Sequence, residues 1–122
     1  EIPRKTYLFE LELDVLRKGR LPKFEKLSRF PSIRRDLAIV VNVETPTGAL
    51  CDSISQQAGA LLQDLLVFDV YQGPGIESGR KSVALGLILQ DSSRTLTDTD
   101  VDSVITGITG QLEKQFDATL RE

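Results

Sequence analysis

The sequence has no histidine, methionine or tryptophan, and it has a single cysteine. The lack of histidine excludes Ser-His-Asp triads, Cys-His pairs and zinc sites with histidine ligands. Cys51 has no partner for an internal disulfide, and its place in a helical pattern favours a small buried thiol over a nucleophile or metal ligand. No apolar run approaches the roughly 18 residues that cross a membrane, and no signal peptide is recognisable. At 122 residues, one domain is expected.

Positive charge is scarce overall, because 15 Lys and Arg face 18 Asp and Glu and leave a net charge of −3. Eight of the basic residues nevertheless lie between Arg17 and Arg35, with Glu25 as the single acid among them. Any contact with a polyanion is therefore expected through a local patch and not through attraction of the whole molecule. A solvated basic linker explains the same charges without any ligand.

The N-terminal residues are expected to lie outside the main fold. Every second residue of YLFELELDV (7–15) is apolar, which predicts a half-buried strand. Residues 16–33 contain glycine and proline without a sustained period, so they are interpreted as a basic linker. Residues 1–15 are therefore expected to be the terminal strand of a preceding module. Since the chain also lacks methionine and begins Glu-Ile-Pro, we interpret it as a C-terminal fragment.

Residues 34–122 contain four strand patterns and two helix patterns. The strand patterns are RDLAIVVNV, Leu65–Tyr71, Lys81–Gln90 and the terminal ATLR. The first helix is expected to begin after an N-cap at Thr45, with Pro46 at its first position, and to end near Gly59. The second helix is expected to begin after Thr97, with Asp100 completing a capping box.

The order of these patterns is strand, helix, strand, strand, helix, strand, which is typical of an α+β ferredoxin-like βαββαβ sandwich. An antiparallel four-stranded sheet with two helices on one face is expected, because right-handed crossovers place both helices on the same side. The other face of the sheet is then open.

Alternation along the strands divides their residues between the two faces. The core face is expected to hold Leu66, Phe68, Val70, Val83, Leu85, Leu87 and Leu89. The open face is expected to hold Ala38, Asp69, Tyr71, Ser82, Ala84 and Gly86. One aromatic ring with an acid and a hydroxyl above a floor of small side chains leaves room for a flat ligand. An ordinary exposed tyrosine beside a solvated aspartate remains an alternative interpretation.

The loop GPGIESGRKS (73–82) has the glycines and lysine of a phosphate-binding loop but not their spacing. Arg80 interrupts the Gly-Lys pair, and a strand follows where a phosphate-binding loop requires a helix. A long hairpin turn that needs glycine explains the same residues.

Several segments together resemble a known family. RFPSIRRDLAIVV, LFDVYQG, GRKSVALGLILQD, SRTLTD and the terminal LRE are similar to the ferredoxin-fold anticodon-binding domain at the C-terminus of the phenylalanyl-tRNA synthetase beta subunit, of bacterial type. The resemblance spans the whole chain, and YLFELELDVL resembles the final strand of the preceding synthetase-like module. It implies a parent enzyme of two alpha and two beta subunits in the cytoplasm, which joins phenylalanine to its tRNA.

The resemblance also implies roles for the parts of that enzyme. ATP and magnesium would serve catalysis in the alpha subunit, and this fragment would have no catalytic residue and no cofactor of its own. Its partner would be the anticodon stem-loop of phenylalanine tRNA, with no membrane or DNA contact.

Site residues also follow from the resemblance. Tyr71 would stack on the first anticodon base, Asp69 and Ser82 would lie near its edge, and Ala38 would lie beneath it. Gln72 departs from the arginine that many relatives carry. Four basic residues at strand ends are expected to border the open face and contact the RNA backbone: Arg34, Arg35, Arg80 and Lys81.

Two other classes of function compete with RNA binding. A ferredoxin-fold enzyme of the acylphosphatase kind needs a glycine-rich anion loop between the first strand and helix, and NVETPTGAL is acidic and lacks one. A regulatory or protein-interaction module that binds a small ligand or a partner on the same open face stays possible from the sequence.

Overall fold

The computed structural model describes residues 5–17, 19, 21–22 and 28–121. Its strands are β1 (Ile33–Asn42), β2 (Leu62–Tyr71), β3 (Arg80–Leu89) and β4 (Thr119–Leu120). Its helices are α1 (Leu13–Leu16), α2 (Thr47–Ala58) and α3 (Asp98–Phe116), with a 3-10 turn at Gly59–Leu61. The strands form one antiparallel sheet in the order β2-β3-β1-β4. The predicted ferredoxin-like α+β fold is confirmed.

The hydrophobic core lies between the sheet and helices α2 and α3. The sheet contributes alternate residues of its two central strands, and each helix contributes one apolar face. The main buried residues are Ile39, Val41, Leu50, Ile54, Val83, Leu85, Leu87, Ile108 and Leu112. Both helices therefore cover the same face of the sheet, as predicted, and the opposite face is open. In the part of the chain that the structure describes, no helix has the length and apolar character to cross a membrane.

Strand β2 departs from the predicted core. The prediction that Leu66, Phe68 and Val70 are core residues is wrong, because these residues are 48%, 54% and 49% exposed. The strand lies at the edge of the sheet, and α2 packs mainly on α3 and only slightly on β2. The helices cover this edge only in part, because Val67 and Val70, which pair with core positions of β3, are still 40% and 49% exposed.

A β-bulge in β2 also changes which side chains share a face. The register with β3 shifts between Val67 and Asp69, which adds one residue to β2. Before the bulge Leu66 pairs with Gly86, a position on the open face, whereas after the bulge Val70 pairs with a core position of β3. Simple alternation through the bulge therefore misplaces the residues on one side of it.

The second predicted helix has the cap that its sequence indicates. The Thr97 hydroxyl accepts a hydrogen bond from the Asp100 backbone N–H, and the Asp100 carboxylate accepts one from the Thr97 N–H at 2.8 Å. Arg94 donates to the same carboxylate at 2.6 Å. The Arg94 hydrogen bond, followed by those from Thr97, holds the pKa of Asp100 well below its usual range. Helix α3 is thus fixed firmly at its N-terminus.

The start of the first predicted helix differs slightly from expectation. Pro46 and not Thr45 is the N-cap of α2, because Thr45 belongs to a turn in which its N–H donates to the Asn42 carbonyl at 3.0 Å. The end of α2 agrees with prediction, since Gly59 follows it with φ +57°, in the left-handed region that favours glycine.

The predicted N-terminal strand is not formed in the described residues. Residues 5–12 have no regular secondary structure, and α1 follows them. A strand needs a hydrogen-bonding neighbour, and residues 5–12 pair with none of the four strands of the sheet. The assignment of residues 1–15 to a preceding module stays a prediction, and residues 1–4 lie outside the described part.

Most of the predicted linker lies outside the described residues, including Lys18, Arg20, Lys23 and Lys26. Its C-terminal part is attached to the sheet. The Ser28 hydroxyl donates to the Asp91 carbonyl at 3.1 Å, and the Gln90 side chain donates to the Phe30 carbonyl. Residues 28–33 therefore contact the end of β3 before β1 begins.

Replacement by alanine of two leucines that were predicted to lie in the core should have different effects on stability. Leu85→Ala should reduce the free energy of unfolding by about 2–5 kcal/mol, because it leaves a cavity under both helices. Leu66→Ala should reduce it by less than about 1 kcal/mol, because the side chain is half exposed. Urea unfolding of the two variants tests this, and equal losses would contradict the placement of Leu66 on the open face.

Candidate nucleic-acid interface

The open face of the sheet brings the four predicted base-binding residues together. Ala38 of β1 and Asp69 of β2 both pair with Ala84 of β3, from opposite sides. Tyr71 pairs with Ser82, one alternation further along the same face. The predicted site is thus a continuous area of three adjacent strands.

Tyr71 is half-buried, and the loop after β2 determines the position of its ring. The phenol donates a hydrogen bond to the Pro74 carbonyl at 3.1 Å. Gly73 has φ +147°, and a Cβ built at this residue would lie 2.9 Å from the phenol oxygen. Glycine is therefore required here both for the turn and for space beside the ring.

Arg121 is a further residue of this site, and the sequence pattern gave it no role. Its backbone N–H donates to the Ala38 carbonyl at 2.8 Å, which attaches the chain end to β1. From there its guanidinium carbon comes within 5.7 Å of the centre of the Tyr71 ring, a cation–π contact. The side chain therefore spans the open face from the β4 side to β2. The only sequence signal was an arginine directly after the last strand.

The floor and the acidic side of the site have different accessibility. Ser82 is 4% exposed and lies beneath the longer side chains, so it forms part of the floor with Ala38 and Ala84. Asp69 is exposed beside this floor, and its carboxylate has no hydrogen-bond or ion-pair partner among the described residues. Its oxygens are free to accept hydrogen bonds from a ligand on the open face.

The comparison with known families decides what kind of domain carries this face. A family model described as the ferredoxin-fold anticodon binding domain matches residues 28–121. The chain belongs to this family. Its resemblance to the family, noted from the sequence motifs, is thereby confirmed.

Curated relatives of this anticodon-binding domain are phenylalanine-tRNA ligase beta subunits. The chain is 48% identical over 121 residues to the one from Pseudomonas fluorescens strain Pf-5, covering 99% of the chain. It is 47% identical over 117 residues to that of Methylococcus capsulatus, covering 96%, and 48% identical over 122 residues to that of Coxiella burnetii, covering 99%. In all three comparisons the chain spans 15% of the relative's length.

Two of the basic residues expected to border the open face of the anticodon-binding domain lie on its other side. Arg35 forms an ion pair with Asp98 at the start of α3, at 3.5 Å. Lys81 is only 9% exposed, and its ammonium group donates to the Thr45 carbonyl at 2.6 Å. The expectation was wrong because both residues occupy core-facing register positions, opposite Leu87 and Val41 respectively.

The other two basic candidates have internal partners. Arg80 donates to the carbonyls of Val40 and Asp117 and forms an ion pair with the Asp117 carboxylate at 3.2 Å. Arg34 lies on the open face, but its Nε donates to Asp36 at 2.8 Å. Gln72 is exposed directly after β2. Internal pairing therefore reduces the charge that these arginines offer to phosphate groups.

The surroundings of Cys51 favour its neutral thiol form. It lies in α2 beside the core, and burial, followed by the charge of Asp52, raises the pKa of the Cys51 thiol. Among the described residues, no three side chains of the metal-ligating types Cys, Asp and Glu come together to hold an ion.

The Gly73 position offers a test of how the Tyr71 ring is held. Gly73→Ala should displace the ring, because the new methyl group would overlap the phenol oxygen, and should cost about 1–3 kcal/mol through backbone strain. Gly79→Ala is the matched control, since Gly79 also has positive φ but has open space around it. The NMR shifts of the Tyr71 ring should change strongly in the first variant only. Unchanged ring shifts in Gly73→Ala would contradict this account.

Proposed function

We propose that the open face of this domain binds the anticodon stem-loop of phenylalanine tRNA, with the first anticodon base stacked on Tyr71. The observation that carries this proposal is the ring of Tyr71, which a hydrogen bond to Pro74 holds in place and which the strand register puts beside a floor of small side chains. Unpaired RNA bases are commonly recognised by aromatic stacking on an exposed sheet, combined with hydrogen bonds to the base edges. The family description and the names of the relatives support the same ligand.

Asp69 is proposed to make the site selective for one type of base. A carboxylate next to a polyanion is unfavourable unless the bound base offers donors in return. Guanine presents an imino N–H beside an amino group on its Watson–Crick edge, and a carboxylate can accept both. Adenine presents an acceptor in place of the imino donor. The free carboxylate of Asp69 therefore favours guanine, with Ser82 and Ala38 forming the floor of the same site.

Arg121 is proposed to orient the Tyr71 ring and to supply positive charge. Its guanidinium lies against the ring, so it limits the ring's movement before RNA binds. It also brings a cation to a face whose other arginine is paired with an acid. Because the net charge is −3, we expect stacking and base-edge contacts to contribute more than phosphate contacts.

The proposed parent protein is the beta subunit of a phenylalanine-tRNA ligase with two alpha and two beta subunits. Since the chain spans 15% of its relatives, this assembly and its chemistry are inferred from the relatives. ATP and magnesium would act in the alpha subunit, as the resemblance to the family implies. The domain itself would bind tRNA and position it for the reaction elsewhere in the enzyme.

Substitutions of Tyr71 test the stacking contact. Tyr71→Ala should weaken binding of a phenylalanine anticodon stem-loop by about 1–3 kcal/mol, because the ring surface is lost. Tyr71→Phe keeps the ring and loses only the hydrogen bond to Pro74, so its loss should be much smaller. Fluorescence titration of the 122-residue chain with labelled RNA measures both values.

The same titration with free phenylalanine separates RNA binding from the regulatory alternative. Binding of the amino acid without binding of the stem-loop would contradict the proposed function. Equal losses in the two Tyr71 variants would instead assign the interaction to the phenol group and not to the ring.

Asp69 is tested through a double-mutant cycle. Asp69→Ala should reduce the preference for guanine over adenine at the first anticodon position by roughly 1–3 kcal/mol, because the base donors lose a charged acceptor. Wild-type and variant chains are each titrated with stem-loops that carry guanine or adenine there. Asp64→Ala, an exposed acid elsewhere on β2, is the control. A coupling energy of zero would make Asp69 an ordinary solvated acid.

A further inference from the structure

A second planar surface lies on the open face, separate from Tyr71. The guanidinium carbon of Arg34 is 5.8 Å from the centre of the Phe68 ring. Arg34 is held in this position by Asp36, whose carboxylate accepts from its Nε at 2.8 Å. The side chains of Arg34 and Asp36 and the residue Phe68 are each 54% exposed. We call Arg34 and Phe68 together the Arg34–Phe68 platform.

The backbone brings Phe68 and Arg34 into contact on the open face. The bulge after Val67 takes Phe68 out of register and leaves its ring against Arg34 of β1. Gly86 of β3 lies beneath, and a Cβ at this position would lie 3.1 Å from Asp36 Oδ1 and 3.3 Å from Arg34 Nη2. A side chain at Gly86 would therefore push the ion pair away from the sheet surface.

The chemistry of the platform fits a stacked base better than a phosphate group. The Asp36 carboxylate compensates the charge of Arg34, so the platform is close to neutral. Aromatic rings and guanidinium planes both stack on nucleic-acid bases, and such contacts depend little on net charge. Covering an exposed phenylalanine with a flat apolar surface is also favourable, because the apolar area of the ring is removed from water.

We propose that the Arg34–Phe68 platform stacks a second unpaired base of the anticodon loop, adjacent to the base on Tyr71. This inference rests on the proposed function and extends it. Phe68 precedes Tyr71 by three residues on the same strand, which separates their Cα atoms by about 10 Å. Asp69 and Ala84 lie between the two surfaces, so the platform is continuous with the proposed base site. The basic residue Arg34 thus contacts a base and not the RNA backbone.

The test combines protein variants with abasic RNA. The 122-residue chain is titrated with phenylalanine anticodon stem-loops that are intact or that lack one base, at the first anticodon position or at either neighbouring nucleotide. Phe68→Leu removes the ring but keeps an apolar side chain, and Val70→Ala is the control on the other face of the strand. Phe68→Leu should bind the intact loop about fivefold or more weakly, whereas Val70→Ala should bind like wild type.

Coupling to one nucleotide is the decisive result. On the loop that lacks the base stacked by the platform, Phe68→Leu and wild type should have the same affinity. On the loop that lacks the first anticodon base, Tyr71→Ala and wild type should have the same affinity. Arg34→Lys should also weaken binding, because lysine keeps the charge and loses the planar group, whereas a phosphate contact would tolerate it. Circular dichroism verifies that each variant is folded.

Failure of this inference differs from failure of the proposed function. The platform does not stack a neighbouring base if Phe68→Leu binds the intact loop like wild type. The same conclusion follows if Phe68→Leu reduces the affinity by the same factor on every abasic loop. The proposed function survives that result when Tyr71→Ala still weakens binding. If Tyr71→Ala also binds like wild type, both the platform and the proposed function are wrong.

Discussion

The small side chains on the open face of the two central strands are the constraint on which the rest of the site depends. Ala38, Ser82, Ala84 and Gly86 leave the surface low, so that long side chains from the sheet edges can lie across it. Tyr71 reaches over it from β2, and Arg121 reaches it from beyond β4. On the opposite face the same strands carry large aliphatic residues, because two helices must be packed there. Alternation within β3 thus creates a packed core on one face and, on the other, the low surface that is proposed to bind RNA.

The edge strand β2 combines exposed apolar side chains with an irregular backbone. It exposes four apolar or aromatic residues near Asp69 and Tyr71, namely Leu66, Val67, Phe68 and Val70, and it contains a bulge. Exposed edges of this kind favour unwanted strand pairing, and a bulge is one of the devices that prevent it. The bulge also presents Phe68 to the open face, where it meets Arg34. The same irregularity therefore protects the edge and shapes the binding surface.

The distribution of charge favours recognition by stacking. Arg35, Arg80 and Lys81 have their positive groups engaged with acids or carbonyls of the domain itself. These contacts fix the start of α3, the end of α3 and the turn before α2, so they stabilise the sandwich around the sheet. In the described part of the chain, Arg34 and Arg121 lie on the open face, and both lie against aromatic rings. Such a surface offers planes and a free carboxylate to unpaired bases.

Local sequence signals were sufficient for much of the fold. The period of each strand, the Thr97 capping box and the glycine after α2 depend on neighbouring residues, so the order of elements and the buried side of β3 followed from the sequence. The residues of the Tyr71 site were also brought together as the strand pattern and the family motifs indicated. The same alternation also assigns Arg35 and Lys81 to the core-facing side of the sheet, because each is next in sequence to an open-face position.

Three features were decided only by the tertiary structure. The bulge in β2 depends on pairing with β3, the exposure of Val70 depends on how far the helix layer extends, and the contact of Arg121 with Tyr71 joins residues at opposite edges of the sheet. Each depends on residues distant in sequence that meet only after the strands have paired. Sequence periodicity describes one strand at a time, and it carries no information about which long side chains cross a neighbouring strand.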